Sequence, residues 1–375
     1  MIKRVITQTI GNRVNKGKTI ILLGPRQVGK TTLINEFLSK HDFLFLNGDD
    51  RDVQQLLENV GTSKLKAIIG NYKLVFIDEA QRIKDIGIIA KLIVDQFKEV
   101  QLFISGSSAL EINDHTQESL TGRKFEYLLF PISWEEFESH VGYMESNAQL
   151  EERLVYGMYP DVINQRHDAR EILKQLTSSY LYKDILSITG IKKPDLLDKL
   201  LKALALQLGS EVSYNELSKL LEVDKVTIAK YIDLLEKLFI VFRLNSFSRN
   251  QRNEIKHNRK IYFYDNGIRN VIINNLNPLD LRTDKGALWE NFLISERIKL
   301  QQYHQLYSIN YFWRTVQKQE IDFVEERDGQ IYAYEFKWKK KPKDKIPGNF
   351  VREYNAIEKL IDRENFREFI LPDQD

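Results

Sequence analysis

Cysteine is missing from this chain altogether, which excludes disulfides, thiolate zinc sites and cysteine nucleophiles. Long apolar runs are missing too. No stretch reaches the roughly 18 consecutive apolar residues that a membrane-spanning helix needs. The first residues, Met1-Ile2-Lys3-Arg4-Val5, lack the apolar region of a secretory signal. The expectation is a cytoplasmic protein with no membrane partner. Neither sign of charge is in excess: 55 basic residues stand against 53 acidic ones, for a net charge of +2. A polyanion would have to meet a local patch rather than the whole surface. Internal repeats and low-complexity tracts are absent as well. What remains is 375 residues with 42% hydrophobic and 29% charged content, enough chain for two or three folded domains.

The stretch Gly24-Pro25-Arg26-Gln27-Val28-Gly29-Lys30-Thr31, continued by Thr32, matches the G-x-x-x-x-G-K-[ST] phosphate-binding loop. An apolar run, Thr19-Ile20-Ile21-Leu22-Leu23, precedes it and reads as a buried strand. A helical pattern from Thr32 to Leu38 follows it. Glycines let backbone N–H groups face phosphate oxygens, and the helix N-terminus adds its positive end. Gly24 to Thr32 would therefore cradle the phosphates of ATP. Lys30 would neutralise phosphate charge, and Thr31 would hold Mg²⁺ through its hydroxyl.

Downstream, Leu74-Val75-Phe76-Ile77 runs into Asp78-Glu79. On a parallel strand both carboxylates reach the ligand-binding edge of the sheet. Asp78 would share the Mg²⁺ with Thr31, and Glu79 would orient and deprotonate water. A further strand, Gln101 to Ile104, ends in Ser105-Gly106-Ser107-Ser108. Ser105 is the candidate to sit beside the acidic pair, Ser107 comes next, and a plain helix cap at Ser107 or Ser108 is the competing reading. Arg123, just before the strand Phe125 to Phe130, is a candidate arginine finger toward its own or a neighbour's γ-phosphate. An ordinary surface arginine would read the same way. The neighbour's case implies self-association.

Residues 150–205 are helical by pattern, with Leu173, Leu176, Tyr180, Leu181 and Ile185 at helical spacing. Gly157 and Pro160 read as a helix cap rather than a lid. Ser213 to Glu236 reads as a helix-turn-helix, and Leu238 to Leu244 begins a wing. Its second helix, from Lys225, would offer Lys225, Thr227 and Lys230 to DNA; a pure packing module is the alternative. Arg249, Arg252, Lys256, Arg259 and Lys260 against Glu254 form a basic stretch suited to phosphate, as does the run Lys337-Trp338-Lys339-Lys340-Lys341 up to Lys345. Solvated loops would look alike.

The C-terminal part carries a second set of carboxylates. Glu290 lies on an amphipathic helix. Asp322 and then Glu335 with Lys337 lie on strands flanking the Asp328-Gly329 turn signal. Alternation puts Glu335 and Lys337 on one face. The order resembles the PD-(D/E)xK nuclease core. That resemblance implies Glu290, Asp322 and Glu335 around Mg²⁺, with Lys337 beside the attacking water. A structural ion pair on a half-buried sheet is the competing reading.

The first half of the chain, in its order of strands and polar ends, resembles the AAA+ superfamily. More narrowly it is similar to the AAA_14 ATPases, whose GPRQVGKTT loop and IDEAQ strand are paired with a C-terminal DUF4143 region. The resemblance implies an α/β fold: a parallel P-loop NTPase sheet, then a helical and winged-helix region, then a restriction-endonuclease-like α/β domain. The expected boundaries are 1–140 for the ATPase, 150–205 for a helical lid or linker, 206–250 for the winged helix and 255–375 for the nuclease-like domain. Two functions stay open. One is a Mg²⁺-dependent ATPase whose C-terminal parts engage DNA. The other is a nucleotide-gated switch whose C-terminal fold holds a partner without catalysis.

Overall fold

A computed structural model describes residues 2–107, 120–181, 194–248, 259–342 and 344–373. The chain forms two compact units. One holds Lys3–Pro131 together with Lys237–Phe239, and the other holds Ile132–Glu236 and Ile240–Asp375.

Among the described residues the first unit is built on five strands: β1 (Thr19–Leu23), β2 (Leu44–Asn47), β3 (Leu74–Asp78), β4 (Gln101–Gly106) and β5 (Lys124–Leu128). They lie in the order β2-β3-β4-β1-β5, every pair parallel. Strands covered on both faces read as unbroken apolar runs rather than alternating ones. β1, with all five residues buried, is the plainest case. The helix Ile86–Gln96 turns Ile86, Ile89, Ala90 and Ile93 inward at helical spacing. Because all strands run the same way, the residues after β1, β3 and β4 collect at one edge.

Among the described residues the second unit holds seven more strands: β6 (Glu211–Val212), β7 (Val241–Ser246), β8 (Arg259–Phe263), β9 (Ile309–Arg314), β10 (Glu320–Arg327), β11 (Gln330–Phe336) and β12 (Ile357–Ile361). They form one sheet in the order β12-β11-β10-β9-β7-β8-β6. The stretch expected as a helix-turn-helix forms the helices Tyr214–Leu221 and Lys225–Lys237, with Ser213 capping the first. Its wing strands β7 and β8 are not a separate module, because β7 pairs in parallel with β9. The expected division between residues 250 and 255 therefore cuts through one sheet. The expected division at 140–150 also moves. Trp134 packs edge-on against Phe292 and Phe366, with ring centroids 5.6 and 5.5 Å away, so the helix Trp134–Val141 belongs to the second unit.

The helix Tyr143–Tyr156 ends at Gly157, whose φ of 75° caps it, and Pro160 opens the next helix. A Cβ on Gly157 would stand 2.1 Å from an Asp265 carboxylate oxygen, so the position requires glycine on both conformational and steric grounds. Among the described residues no helix is long and apolar enough to cross a membrane.

Candidate functional site

The phosphate loop leaves β1 at Gly24. A Cβ there would lie 2.0 Å from the Leu129 carbonyl oxygen, so only glycine lets the loop pass the end of β5. The helix Lys30–Leu38 starts straight after Gly29 and aims its free N–H groups at the loop mouth. Lys30 is buried. Its ammonium donates to the carbonyls of Gly24 at 2.9 Å and Pro25 at 2.8 Å. Arg4, from the N-terminal segment, donates to the Val28 carbonyl at 2.6 Å and the Phe130 carbonyl at 2.7 Å. It ties the loop to the end of the β5 segment. No sequence signal marked this arginine.

At the same edge the Thr31 hydroxyl donates to Asp78 Oδ2 at 2.7 Å. The Ser105 hydroxyl donates to Asp78 Oδ1. Glu79 follows the last residue of β3 in a left-handed conformation, φ 46°. The Gln81 amide donates to the Glu79 carboxylate and, at 3.0 Å, to Ser107 Oγ. The two serines thus divide between the two carboxylates: Ser105 takes Asp78, and Ser107 reaches Glu79 through Gln81. Gln81 stands in the quoted IDEAQ run, but its linking role needs the geometry of β4 beside β3. A hydroxyl and a carboxylate side by side are hard oxygen donors, a set suited to Mg²⁺ completed by water and phosphate.

Arg123 does not join this group. β5 runs parallel to β1 with Thr19 opposite Lys124 and Leu23 opposite Leu128. Arg123 therefore sits at the amino end of the sheet, about 16 Å of strand away from the loop. Its guanidinium pairs with Asp95 at 2.7 Å and holds that carboxyl below the usual carboxylate range. Its own γ-phosphate is out of reach, a correction that only strand direction could supply.

On the helix-turn-helix, Lys225 and Lys230 are exposed, but Thr227 is not available as expected. Its hydroxyl donates to Asp224 at 2.6 Å and its N–H to the same carboxylate at 2.9 Å, an N-cap arrangement. Arg249, Arg252, Glu254, Lys256 and Lys343 lie outside the described residues, as do Ser108 and Ile185. Lys260 is a second correction. It is 1% exposed and faces carboxylates rather than solvent. Arg259 lies over the Tyr214 ring.

The C-terminal carboxylates do gather, by a hairpin whose turn residues Asp328 and Gly329 have φ of 53° and 76°. Phe323 pairs with Tyr334, and one step further along this register Asp322 faces Glu335. The β9–β10 register shifts between Ile321 and Val324, so Asp322 lies within an irregularity of the ladder. Each carboxylate already has a partner. Glu290 Oε1 accepts from Lys260 at 3.0 Å and the Tyr262 hydroxyl at 2.5 Å. Asp322 accepts from the Phe336 N–H at 2.8 Å, and Glu335 from Lys337 at 2.6 Å. Burial, with Glu290 and Glu335 nearby, pushes the Asp322 carboxyl well above the usual carboxylate range. Burial also raises Glu335 against the pull of Lys337. Among the described residues no group of three carboxylate or imidazole ligands is placed to hold a metal ion. The expected Mg²⁺ set of Glu290, Asp322 and Glu335 is not assembled as such.

Beside this cluster, a recess of about 570 Å³ is lined by Trp338, Lys339, Lys340, Lys341, Asp362 and Arg363. The Arg363 guanidinium stands 5.2 Å from the Trp338 ring centre.

Three family models match the chain: an AAA domain, AAA_14, over residues 16–138; a domain of unknown function, DUF8612, over 147–279; and another, DUF4143, over 285–368. An uncharacterized protein of Haemophilus influenzae is 25% identical over 339 residues, covering 83% of this chain and 80% of its own length. One from Methanocaldococcus jannaschii is 25% identical over 347 residues, covering 86% of this chain and 75% of its own. Among solved structures, a Walker-type ATPase of Pyrococcus abyssi is similar with a TM-score of 0.49 and 15% identity. That match covers 72% of this chain and 96% of the other. The AAA, DUF8612 and DUF4143 models thus match successive parts of the chain.

Proposed function

We propose that this chain, an AAA domain joined to a DUF4143 region, binds ATP with Mg²⁺, hydrolyses it, and uses the cycle to control how its second unit engages DNA. The observation that carries the reading is the pair of hydrogen-bonded chains at one sheet edge, Thr31–Asp78–Ser105 and Glu79–Gln81–Ser107. Lys30, now resting on loop carbonyls, would exchange them for phosphate oxygens. Thr31 and Asp78 would hold Mg²⁺, which supplies neutralisation of phosphate charge. Glu79 would take the proton from the attacking water, with Gln81 fixing its carboxylate and Ser107 sensing the phosphate end. Arg123 would act, if as a finger, on a neighbouring copy.

For DNA, the reading rests on exposed Lys225 and Lys230 and on the lysine-lined recess at Trp338, where positive charge and an aromatic ring meet. The test is steady-state ATP turnover of the full chain with Mg²⁺, with and without DNA, beside mobility shifts at several salt concentrations. DNA is expected to change turnover, and the shift is expected to weaken steeply with salt. Glu79→Gln is expected to keep binding a fluorescent ATP analogue and to lose about 100-fold or more in turnover. Turnover indifferent to DNA, with no shift at low salt, would favour a nucleotide-gated switch for a protein partner. The loss of Thr227 to Asp224 is the observation on that side.

A further inference from the structure

Lys260 is the residue that the chemistry above leaves without a role. It sits on β8, opposite Leu244 of β7 on one side and Glu211 of β6 on the other, and its side chain is 1% exposed. A lysine is buried this deeply only when carboxylates compensate the lost hydration. Here the ammonium lies 3.0 Å from Glu290 Oε1 and 2.6 Å from Glu320 Oε1, with the Phe312 ring centre 5.5 Å away. Burial works against its charge, but Glu290, Asp322 and Glu320 outweigh that and hold it above the ordinary lysine range.

The helix Lys285–Tyr303 brings Glu290, β10 brings Glu320 and Asp322, and β11 brings Glu335. These are the elements from which the sequence expectation drew a metal site. Lys260 already stands between two of these acids, Glu290 and Glu320, and Tyr262 donates to the same Glu290 oxygen that Lys260 uses. A divalent ion placed there would have to displace an ammonium whose side chain is 1% exposed, and would leave it beside a like charge. Lys337 does the corresponding work for Glu335, and Arg314 stands 3.7 Å from Glu320. Glu290 and Glu320 therefore share Lys260, Glu335 Oε1 faces Lys337, and Arg314 is shared between Glu320 and Glu211. Asp322 accepts a backbone N–H, while Glu335 Oε2 is buried without a hydrogen-bond partner.

We infer that Lys260 supplies, as a built-in ammonium, the positive charge that a divalent metal would supply in a nuclease-like core, so that the C-terminal unit has no metal-dependent phosphodiesterase chemistry. The disagreement with the PD-(D/E)xK expectation is thus chemical: the ligand types are present, but the place between Glu290 and Glu320 is already held by an ammonium. The inference does not depend on ATP hydrolysis or on DNA binding, and it can fail while both stand.

The test is Mn²⁺ titration of the nucleotide-free full chain, read by the electron paramagnetic resonance signal of free Mn²⁺, in a Thr31→Ala, Asp78→Asn background that removes the phosphate-loop donors. No saturable site is expected. Lys260→Met in the same background is expected to create one, lost again on adding Glu290→Gln. A saturable Mn²⁺ site in the lysine-containing chain that disappears with Asp322→Asn would overturn the inference. So would Mg²⁺-dependent plasmid nicking by the unaltered protein that Asp322→Asn abolishes. A folded Lys260→Met chain that binds no Mn²⁺ would overturn it as well. If Lys260→Met does not fold, the lysine-containing titration and the nicking assay decide alone.

Discussion

Lys30 and Gly157 show two ways in which a single residue constrains this protein. Lys30 is held by the Gly24 and Pro25 carbonyls and is aimed by them into the loop mouth. Lys30→Ala is expected to abolish binding of a fluorescent ATP analogue while leaving the thermal transition close to that of the parent. Gly157 is constrained by its neighbour instead. With φ at 75° and an Asp265 oxygen 2.1 Å from any added Cβ, Gly157→Ala is expected to destabilise by at least roughly 2 kcal/mol in urea unfolding. The two residues differ in legibility. The lysine belongs to a local motif, and its chemistry follows from the spacing. The glycine could be recognised as a cap, but its clash with Asp265 depends on a residue far along the chain. Lys260 is harder still: a strand lysine in a basic run looks like a phosphate contact until the helix carrying Glu290 is laid over it.

At the scale of elements, polar anchors join apolar packing in holding the second unit's helices. Asp284, at the start of the helix Lys285–Tyr303, accepts from Arg282 at 2.9 and 2.8 Å and from Arg269 of the helix Asn266–Ile272. Burial would raise its pKa, but hydrogen bonds from Arg282 and Arg269 overcome that and bring it to about 2. Its folded value is depressed, so its contribution is present above the unfolded value near 3.8 and is lost as pH falls from there toward about 2. The size is roughly 2 kcal/mol. Urea midpoints measured across this acid range are expected to fall more steeply in the parent than in Asp284→Asn. His304 has the opposite sign. Its hydrogen bond to Glu135 raises it above the ordinary histidine range. The stability it confers is complete below the unfolded value and fades as pH rises through the folded one. A smaller loss of stability in His304→Gln across neutral to mildly alkaline pH is the expected check.

For the whole molecule, the seven-stranded sheet of the second unit is the main departure from expectation. The helix-turn-helix pattern at 213–236 was legible because two short amphipathic helices and a cap are local features. The partner of its wing was not, since β7 meets β9 in parallel across a long stretch of chain. A fragment of residues 206–250 would leave β7 without β8 or β9. It is expected to show no cooperative thermal transition by circular dichroism, because an isolated strand leaves its backbone groups and apolar face unpaired.

Sequence alone determined where phosphate-binding chemistry can occur. A glycine-rich turn between a buried strand and a helix, followed by a strand ending in Asp78-Glu79, makes that chemistry from neighbours along the chain. Tertiary structure decided which charges meet. The parallel register of β5 on β1 moved Arg123 to the far edge of its sheet. The helix carrying Glu290 and the strand β10 carrying Glu320 placed Lys260 of β8 among the acids. Charges act over a few ångströms of space regardless of their separation along the chain, and strand direction and register set those distances.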